Sequence, residues 1–370
     1  MTPSPATAED STLPRATAYR QPSASATYGA SPEGLVWAYV FEEVDGEPGR
    51  GRAIDAEEAL QWLNEQRERE PKQPHGHGSS FAWLHFGLSH AGAKRWMADH
   101  ADLPAAFFDA MEEGARSTRV ERDEHHLVAV VNDVQFQFDF EPSDIATLWI
   151  SVGPRLVVTA RLKPLRSLDA LRMGVRNGAQ LRSTAELLEQ LLRKQADSLV
   201  AIVRDVTERI DDIEEDLLAG RLNNKRVRLG ASRRLLARLQ RLLAPEPSAL
   251  FRVLQHPPRW MTQQDVQDLR ASTEEFSAVV HDMRLLQERI KLLQEEIAAS
   301  VADDNNRSLF VLTVVTVLAL PINILAGLFG MNVGGVPLAE NHHGFWIVVT
   351  IVAIFTAVAC WLALRKSGDQ

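Results

Sequence analysis

Residues 309–332 read LFVLTVVTVLALPINILAGLFGMN. The part from 309 to 329 carries no charge and is interrupted by Thr313, Thr316, Pro321 and Asn323. At about 1.5 Å per residue, such a helix covers about 30 Å, one bilayer core. A second uncharged run occupies residues 344–364, with Phe345 and Trp346 at one edge and Trp361 at the other. Aromatic rings at both edges suit the two membrane interfaces. Arg307 precedes the first run, Arg365 and Lys366 follow the second, and the segment between them has no Lys or Arg. The positive-inside rule then predicts both termini in the cytoplasm and a short connection outside.

That connection, completed by VGGVPLAENHHGFW (Val333–Trp346), is too short for a domain, and its glycines permit a tight reversal. Two spans alone cannot enclose a water-filled path. A conducting protein of this design must therefore be an oligomer.

Working back toward the N-terminus, no Pro or Gly occurs from Met261 to Leu320. Val279, Met283, Leu286, Ile290, Leu293 and Ile297 follow one another in steps of four and three, a heptad seam. One helix is therefore expected from about Thr262 into the first span, spanning roughly 100 Å. Such a stalk passes any motion of the preceding domain to the span. Upstream, GluLeuLeuGlu-type periodicity with Leu188, Leu192, Leu199, Ile202, Val206, Ile210, Ile213 and Leu217 predicts a long amphipathic helix capped near Gly220. A basic helix follows (Arg228, Arg233, Arg234, Arg238, Arg241) and is expected to pair with the acidic run at 211–216.

Residues 35–165 read as mixed α and β. LVWAYVF (Leu35–Phe41) and FAWLHF (Phe81–Phe86) are strand-like, and AEEALQWLNEQ (Ala56–Gln66) is an amphipathic helix between them, an order that suggests a crossover unit. Three further strands follow, with turns expected at Asn132-Asp133 and Gly153-Pro154. The first residues are rich in Pro, Ser, Thr and Ala, lack a basic start with an apolar block, and read as a disordered tail. The expected organisation is a tail (1–33), a cytoplasmic α/β domain (34–165), a helical hairpin region (166–260), a stalk (261–308), a first span (309–332), an outer loop (333–343), a second span (344–364) and a cytoplasmic C-terminus (365–370). The fold class is α+β.

The formal net charge of −9 favours cations and argues against a nucleic-acid partner. The single cysteine, Cys360, rules out an internal disulfide and a thiolate-rich zinc site. No nucleophile–base set or phosphate loop points to an enzyme.

A long stalk, a span ending in Gly330-Met331-Asn332, a short outer loop, a second span and a basic C-terminus together resemble the CorA family of divalent metal-ion transporters. The resemblance covers residues 35–370 and is sharpest at 327–338. Within the family, GMNVGGVPL is similar to the ZntB branch of zinc transporters. Val336-Pro337-Leu338-Ala339 stands where the magnesium-transporting branch carries an acidic Met-Pro-Glu-Leu pattern. The resemblance implies a homopentameric funnel in the bacterial inner membrane, with five first spans lining a pore and five second spans facing lipid. It makes Gly330, Met331 and Asn332 the selective entrance, and Asn306, Leu312, Thr316, Leu320 and Asn323 pore-lining positions. Fivefold symmetry turns each into a ring. Carbonyl oxygens of an asparagine ring replace or hydrogen-bond a cation's water without the cost of a buried charge. Thr316 in a span can also simply bond its own helix, and Asn323 can satisfy a carbonyl freed by Pro321.

The implied cargo is Zn²⁺, with no permanently bound cofactor. Glu340, His342 and His343 in the outer loop offer carboxylate and imidazole for transient capture. His75 and His77, and the stretch Glu121–His126, are weaker metal candidates, and Glu295-Glu296 and Asp303-Asp304 would concentrate cations near the inner mouth. The branch further implies proton-coupled import, although neither span holds an acid or histidine to carry the proton. Two alternatives stand beside this reading: a CorA-like Mg²⁺/Co²⁺ channel, and a non-conducting membrane-tethered coiled-coil scaffold or sensor.

Overall fold

The computed structural model describes residues 33–43, 48–69, 80–114, 118–123, 125–136, 144–219, 225–330 and 343–367. The expected N-terminal tail (apart from Glu33), His75, His77, Glu124 and Gly220 lie outside them.

Seven strands form one sheet: β1 Leu35–Glu42, β2 Gly51–Ile54, β3 Ser80–Gly87, β4 Arg119–Arg122, β5 Leu127–Val134, β6 Ile145–Val152 and β7 Leu156–Arg161. Their order is β2-β1-β3-β7-β6-β5-β4, and only the β3–β7 pair is parallel. The crossover expected between β1 and β3 is not there, because the two pair antiparallel. The short β2 reverses the chain against β1 before helix α1 (Ala56–Arg69) begins, and that extra reversal flips the direction of β3.

Helix α1 starts at Asp55, whose Oδ1 accepts the N–H groups of Glu57 and Glu58 at 2.9 Å. Glu58 reaches back to the N–H of Asp55, closing a capping box. With α2 (Gly92–His100) and α3 (Ala105–Glu113), α1 covers one face of the sheet through Leu63, Trp96, Met97 and Phe107. The other face carries α4 (Arg166–Arg176), α5 (Thr184–Leu218), α7 (Pro245–Gln255) and the start of α8 (Gln263–Phe329) through Leu168, Leu188, Leu191, Leu250 and Leu269. α6 is Lys225–Leu243 and α9 is Gly344–Ser367.

The chain divides into two compact units. One holds residues up to 207 together with 234–285 and contains the sheet. The other holds 208–233 and 286–370. In the second unit, Ile210, Ile213, Leu229, Leu286, Ile290, Leu293 and Ile297 are buried. Of the acidic run, Asp211 and Glu214 both pair with Arg289 on α8, Asp211 at 2.8 Å.

Asn132 and Asp133, expected in a turn, lie inside β5 and are buried. What holds them there is the polar layer between the sheet and its helices. Asp133 Oδ1 accepts from the Ser167 hydroxyl and the Val134 N–H, each at 2.8 Å, and Oδ2 accepts from the Ser167 N–H at 3.0 Å. A strand carboxylate thus caps α4, whose own N-cap residue Leu165 has no capping side chain. Nearby, Gln195 on α5 donates to Asn132 O at 2.6 Å and to Glu246 Oε2 at 3.3 Å, while Glu246 Oε1 has no partner. Burial pushes the Asp133 carboxyl from 3.8 to about 6, against the downward pull of its hydrogen bonds. Burial likewise pushes Glu246 well above the usual carboxylate range, and the charge on Asp133 adds to it.

Two predictions follow from these contacts. Raised carboxyl values mean that the folded protein holds protons which the unfolded chain releases. The stability from Asp133 is therefore fully present below pH 3.8 and is lost as pH rises through the window from 3.8 to about 6, and that from Glu246 is lost as pH rises from 4.5 to well above it. For Asp133 the change amounts to about 3 kcal/mol. Glu246→Gln removes one of the two groups, so thermal unfolding at pH 8 should shift upward and the decline from pH 5 to pH 8 should flatten. An unchanged pH profile would contradict the assignment. Separately, the Thr262 N–H donates to Asp265 Oδ2 at 3.0 Å and the Asp265 N–H to Thr262 Oγ1 at 3.1 Å, a box that starts α8. Thr262→Ala should cost about 1 kcal/mol in chemical denaturation, and Thr262→Ser should recover most of it.

Candidate functional site

Helix α8 is 67 residues long, about 100 Å at the standard rise. Its six heptad residues, Val279, Met283, Leu286, Ile290, Leu293 and Ile297, are all buried. Beyond Ile297 the cover stops. Every residue from 302 to 313 is exposed, and so are Val315, Val317, Leu320, Ile324 and Leu328. Leu309, Leu312 and Leu320 are 60%, 61% and 59% exposed. Burying a leucine is worth about 1.5–3 kcal/mol, so a stretch of this composition is not stable against water and needs a cover from outside the chain. The span is long and apolar enough to cross a membrane, and none of its most apolar window is buried. α9 is the second apolar helix, with its described apolar part at Gly344–Val358.

A regular helix turns about 100° per residue. Measured from Asn306, the positions of Leu320, Thr316, Asn323 and Leu312 fall about 40°, 80°, 100° and 120° around in one sense. The five candidate positions thus share one arc of about 120°. All five are exposed. The half-buried residues of the span, Val314, Leu318, Ala319, Pro321 and Ile322, all fall outside that arc, interspersed with exposed Val311 and Val315. On α9 the half-buried positions Val348, Val352 and Thr356 recur every fourth residue, again as a single covered stripe. Partial cover on each apolar helix is therefore uneven, and on α8 none of it falls on the candidate stripe.

Polar groups on this stripe are arranged to accept. The Thr316 hydroxyl donates to Leu312 O at 2.8 Å, as Thr313 does to Leu309 O at 2.7 Å. Bonding its own helix engages the hydroxyl proton and leaves the oxygen lone pairs outward, the orientation a cation or its water needs. Pro321 lacks an N–H, so the carbonyl of Val317 loses its helical donor two residues before Asn323. At the end of the helix, the Gly330 N–H bonds Ala326 O at 2.9 Å. A side chain at Gly330 would bring its Cβ to 3.0 Å from that same oxygen, which explains the smallest residue there. Met331, Asn332, Glu340 and His342 lie outside the described residues. His343 is exposed, and its carbonyl accepts the Ile347 N–H at 3.2 Å where α9 begins.

Among the described residues, no group of three or more His, Cys, Asp or Glu comes together to hold a metal. In the β4–β5 hairpin, Asp123 N–H donates to His126 O at 2.9 Å, a turn bond rather than a ligand pair. Asp303 and Asp304 are exposed on α8, and Glu295 faces Lys291 at 3.7 Å. Sequence reading passed over the buried Arg161–Asp169 pair, bidentate at 3.0 and 3.3 Å, and His85, fully buried in β3. The only sequence signal for His85 is a polar residue inside the apolar strand FAWLHF.

A mixed sheet domain leading into one long helix and two apolar segments is the architecture of CorA-type cation transporters. The solved structure of full-length CmaX matches it with a TM-score of 0.70 over 91% of this chain and 99% of that one, at 24% identity. The complete CorA magnesium transporter from Methanocaldococcus jannaschii matches with the same TM-score over 88% and 96%, at 15% identity. The sequence profile of the family described as "CorA-like Mg2+ transporter protein" fits residues 78–366, and the chain belongs to this family. Its curated relatives include the divalent cation transporter CmaX of Pseudomonas aeruginosa, 26% identical over 76% of this chain and 86% of that protein. The zinc transport protein ZntB of Yersinia enterocolitica is 24% identical over 77% and 87%.

Proposed function

We propose that this divalent-cation transporter works as a homopentamer in the bacterial inner membrane, with zinc as its principal cargo and both termini in the cytoplasm. The observation that carries the proposal is the uncovered stripe of α8. A lone apolar helix needs lipid around it, but lipid on the side of Asn306, Thr316 and Asn323 would strand polar groups in hydrocarbon. Placing five copies around an axis puts that stripe on a hydrated path and leaves the opposite side to α9 and lipid. Leu312 and Leu320 then form apolar constrictions, and Asn306, Thr316 and Asn323 form oxygen rings. Gly330, Met331 and Asn332 stand at the outer mouth, where a ring of amide oxygens receives a hydrated cation.

Zinc is favoured by the residues that follow Gly330, which resemble the ZntB branch, and by the imidazoles of His342 and His343 in the outer loop. Transient capture by Glu340 and these histidines suits a path that must also release its ion. Magnesium is the second reading. It is favoured by the family description and by the oxygen-only chemistry of the α8 stripe.

Uptake into proteoliposomes tests both. Zn²⁺ entry should exceed Mg²⁺ entry, and Asn332→Ala should reduce it by about tenfold or more, a loss of at least ~1.4 kcal/mol at the entrance. Mg²⁺ flux with negligible Zn²⁺ flux would replace zinc by magnesium, and unchanged flux in Asn332→Ala would remove the entrance role. In a Cys360→Ala background, Thr316→Cys and Leu320→Cys should react with a membrane-impermeant thiol reagent and block uptake, whereas Val314→Cys and Leu318→Cys should not. Equal labelling of the two sets would contradict the assignment of the wet side.

A further inference from the structure

The sheet unit holds a cluster that ion conduction does not use. Between Leu35 and Trp37 the β1–β3 register shifts, making Val36 an extra residue. A bulge of this kind re-aims the side chains beside it. Here it sets Trp37 directly across from His85, with the two rings stacked at 3.9 Å and 26°. Arg172 of α4 lies over the same indole, its Cζ 4.4 Å from the ring centroid, and Arg161 lies 5.3 Å away. These residues meet at the carboxyl ends of the parallel strands β3 and β7, the edge where open α/β sheets place their ligands.

Their hydrogen-bonding capacity is unbalanced. Trp37 Nε1, His85 Nε2 and Arg172 Nε are all buried and have no partner among the described residues. Arg161 is neutralised by Asp169, but among the described residues no carboxylate pairs with Arg172. On the inner side His85 is fixed. Its Nδ1 stands 2.9 Å from the Thr159 hydroxyl oxygen, which also accepts the Trp83 indole N–H at 3.0 Å. Burial and the charges of Arg161 and Arg172 hold the imidazole well below its usual range, so it is neutral at pH 7. The Thr159 hydroxyl oxygen stands 3.3 Å from Leu84 O as well, so its proton serves either Leu84 O or Nδ1, and the choice sets whether His85 Nε2 accepts or donates. The cluster presents the indole and guanidinium N–H donors, His85 Nε2 and one positive charge without a carboxylate partner around a single indole, with half-buried Arg172 connecting it to the surface beside exposed Met173.

We propose that Trp37, His85 and Arg172 form a binding site for one oxyanion group, a phosphate or a carboxylate, on the sheet unit. The chemistry matches on each count. An oxyanion supplies several acceptor lone pairs to donors that have none, and one negative charge to the guanidinium that lacks a partner. A metal cation does not suit the cluster, whose unpaired charge is itself a cation, Arg172.

Equilibrium dialysis of the purified full-length protein tests this, at fixed ionic strength, with labelled inorganic phosphate in one arm and labelled acetate in the other. Saturable binding of one anion per chain is expected in at least one arm, and the arm that responds separates phosphate from carboxylate. Trp37→Phe keeps the ring and its stacking but removes the indole donor. Arg172→Met keeps the stem but removes the charge. Each should weaken binding by about tenfold or more while the protein still unfolds cooperatively. Asn332→Ala should bind as tightly as the parent, so the result is independent of ion flux. Absence of saturable binding in both arms, or parental affinity in both cluster variants, would overturn the site.

Discussion

The C-terminal third of α8 cannot remain as a single chain presents it. Leu309, Val311, Leu312, Val315, Val317, Leu320, Ile324 and Leu328 are exposed, yet the same helix carries Asn306, Thr316 and Asn323 on one arc. Two demands follow, and no single environment meets both. Apolar side chains need lipid or protein, and amide and hydroxyl oxygens need water, an ion or a hydrogen-bond partner. Self-association around an axis resolves the conflict, because one side of each helix turns inward and the other outward. The chain belongs to the CorA-like family and shares its fold with solved CorA-type proteins.

The sheet unit is constructed differently. Its two faces are apolar and closely covered, but a polar layer runs under α4, α5 and α7. Asp133 reaches from a strand to cap α4, Arg161 is matched by Asp169, and Gln195 links Asn132 to Glu246. Such groups cost stability when buried and are tolerated where they fix the position of one element on another. Trp37, His85 and Arg172 depart from that pattern, since Trp37 Nε1, His85 Nε2 and Arg172 Nε find no partner among the described residues.

Much of this was legible in the residues. The heptad steps from Val279 to Ile297 identify the side of α8 that is buried, and the uncharged run after Arg307 identifies the part that is not. Family membership was readable because Gly330-Met331-Asn332 stands at the end of such a run. The sheet was less so. β2 is only four residues long, too short to show alternation, and missing it reversed the expected relation of β1 and β3. Asn132-Asp133 carries a turn composition, but Ser167 and Gln195, distant in sequence, supply the partners that keep the pair in a strand. Local propensity contains no record of such partners. The bulge at Val36 and the stack it creates have the same character, because register is a property of two strands and not of one.

Cargo choice rests on few groups. In the proposed pentamer the α8 stripe supplies neutral oxygen and apolar constrictions, a chemistry that attracts hydrated divalent cations without trapping them. Under the proposed function, selection between zinc and magnesium falls to the residues from Gly330 to His343, whose sequence includes amide, carboxylate and imidazole side chains. All of it presumes that the uncovered arc of α8 faces water shared by several copies. A density map of the protein in lipid nanodiscs measures this directly. The account predicts five α8 helices around an axial opening lined by Asn306, Thr316, Leu320 and Asn323. A particle with no opening on its axis, or with that arc turned toward lipid, would contradict it.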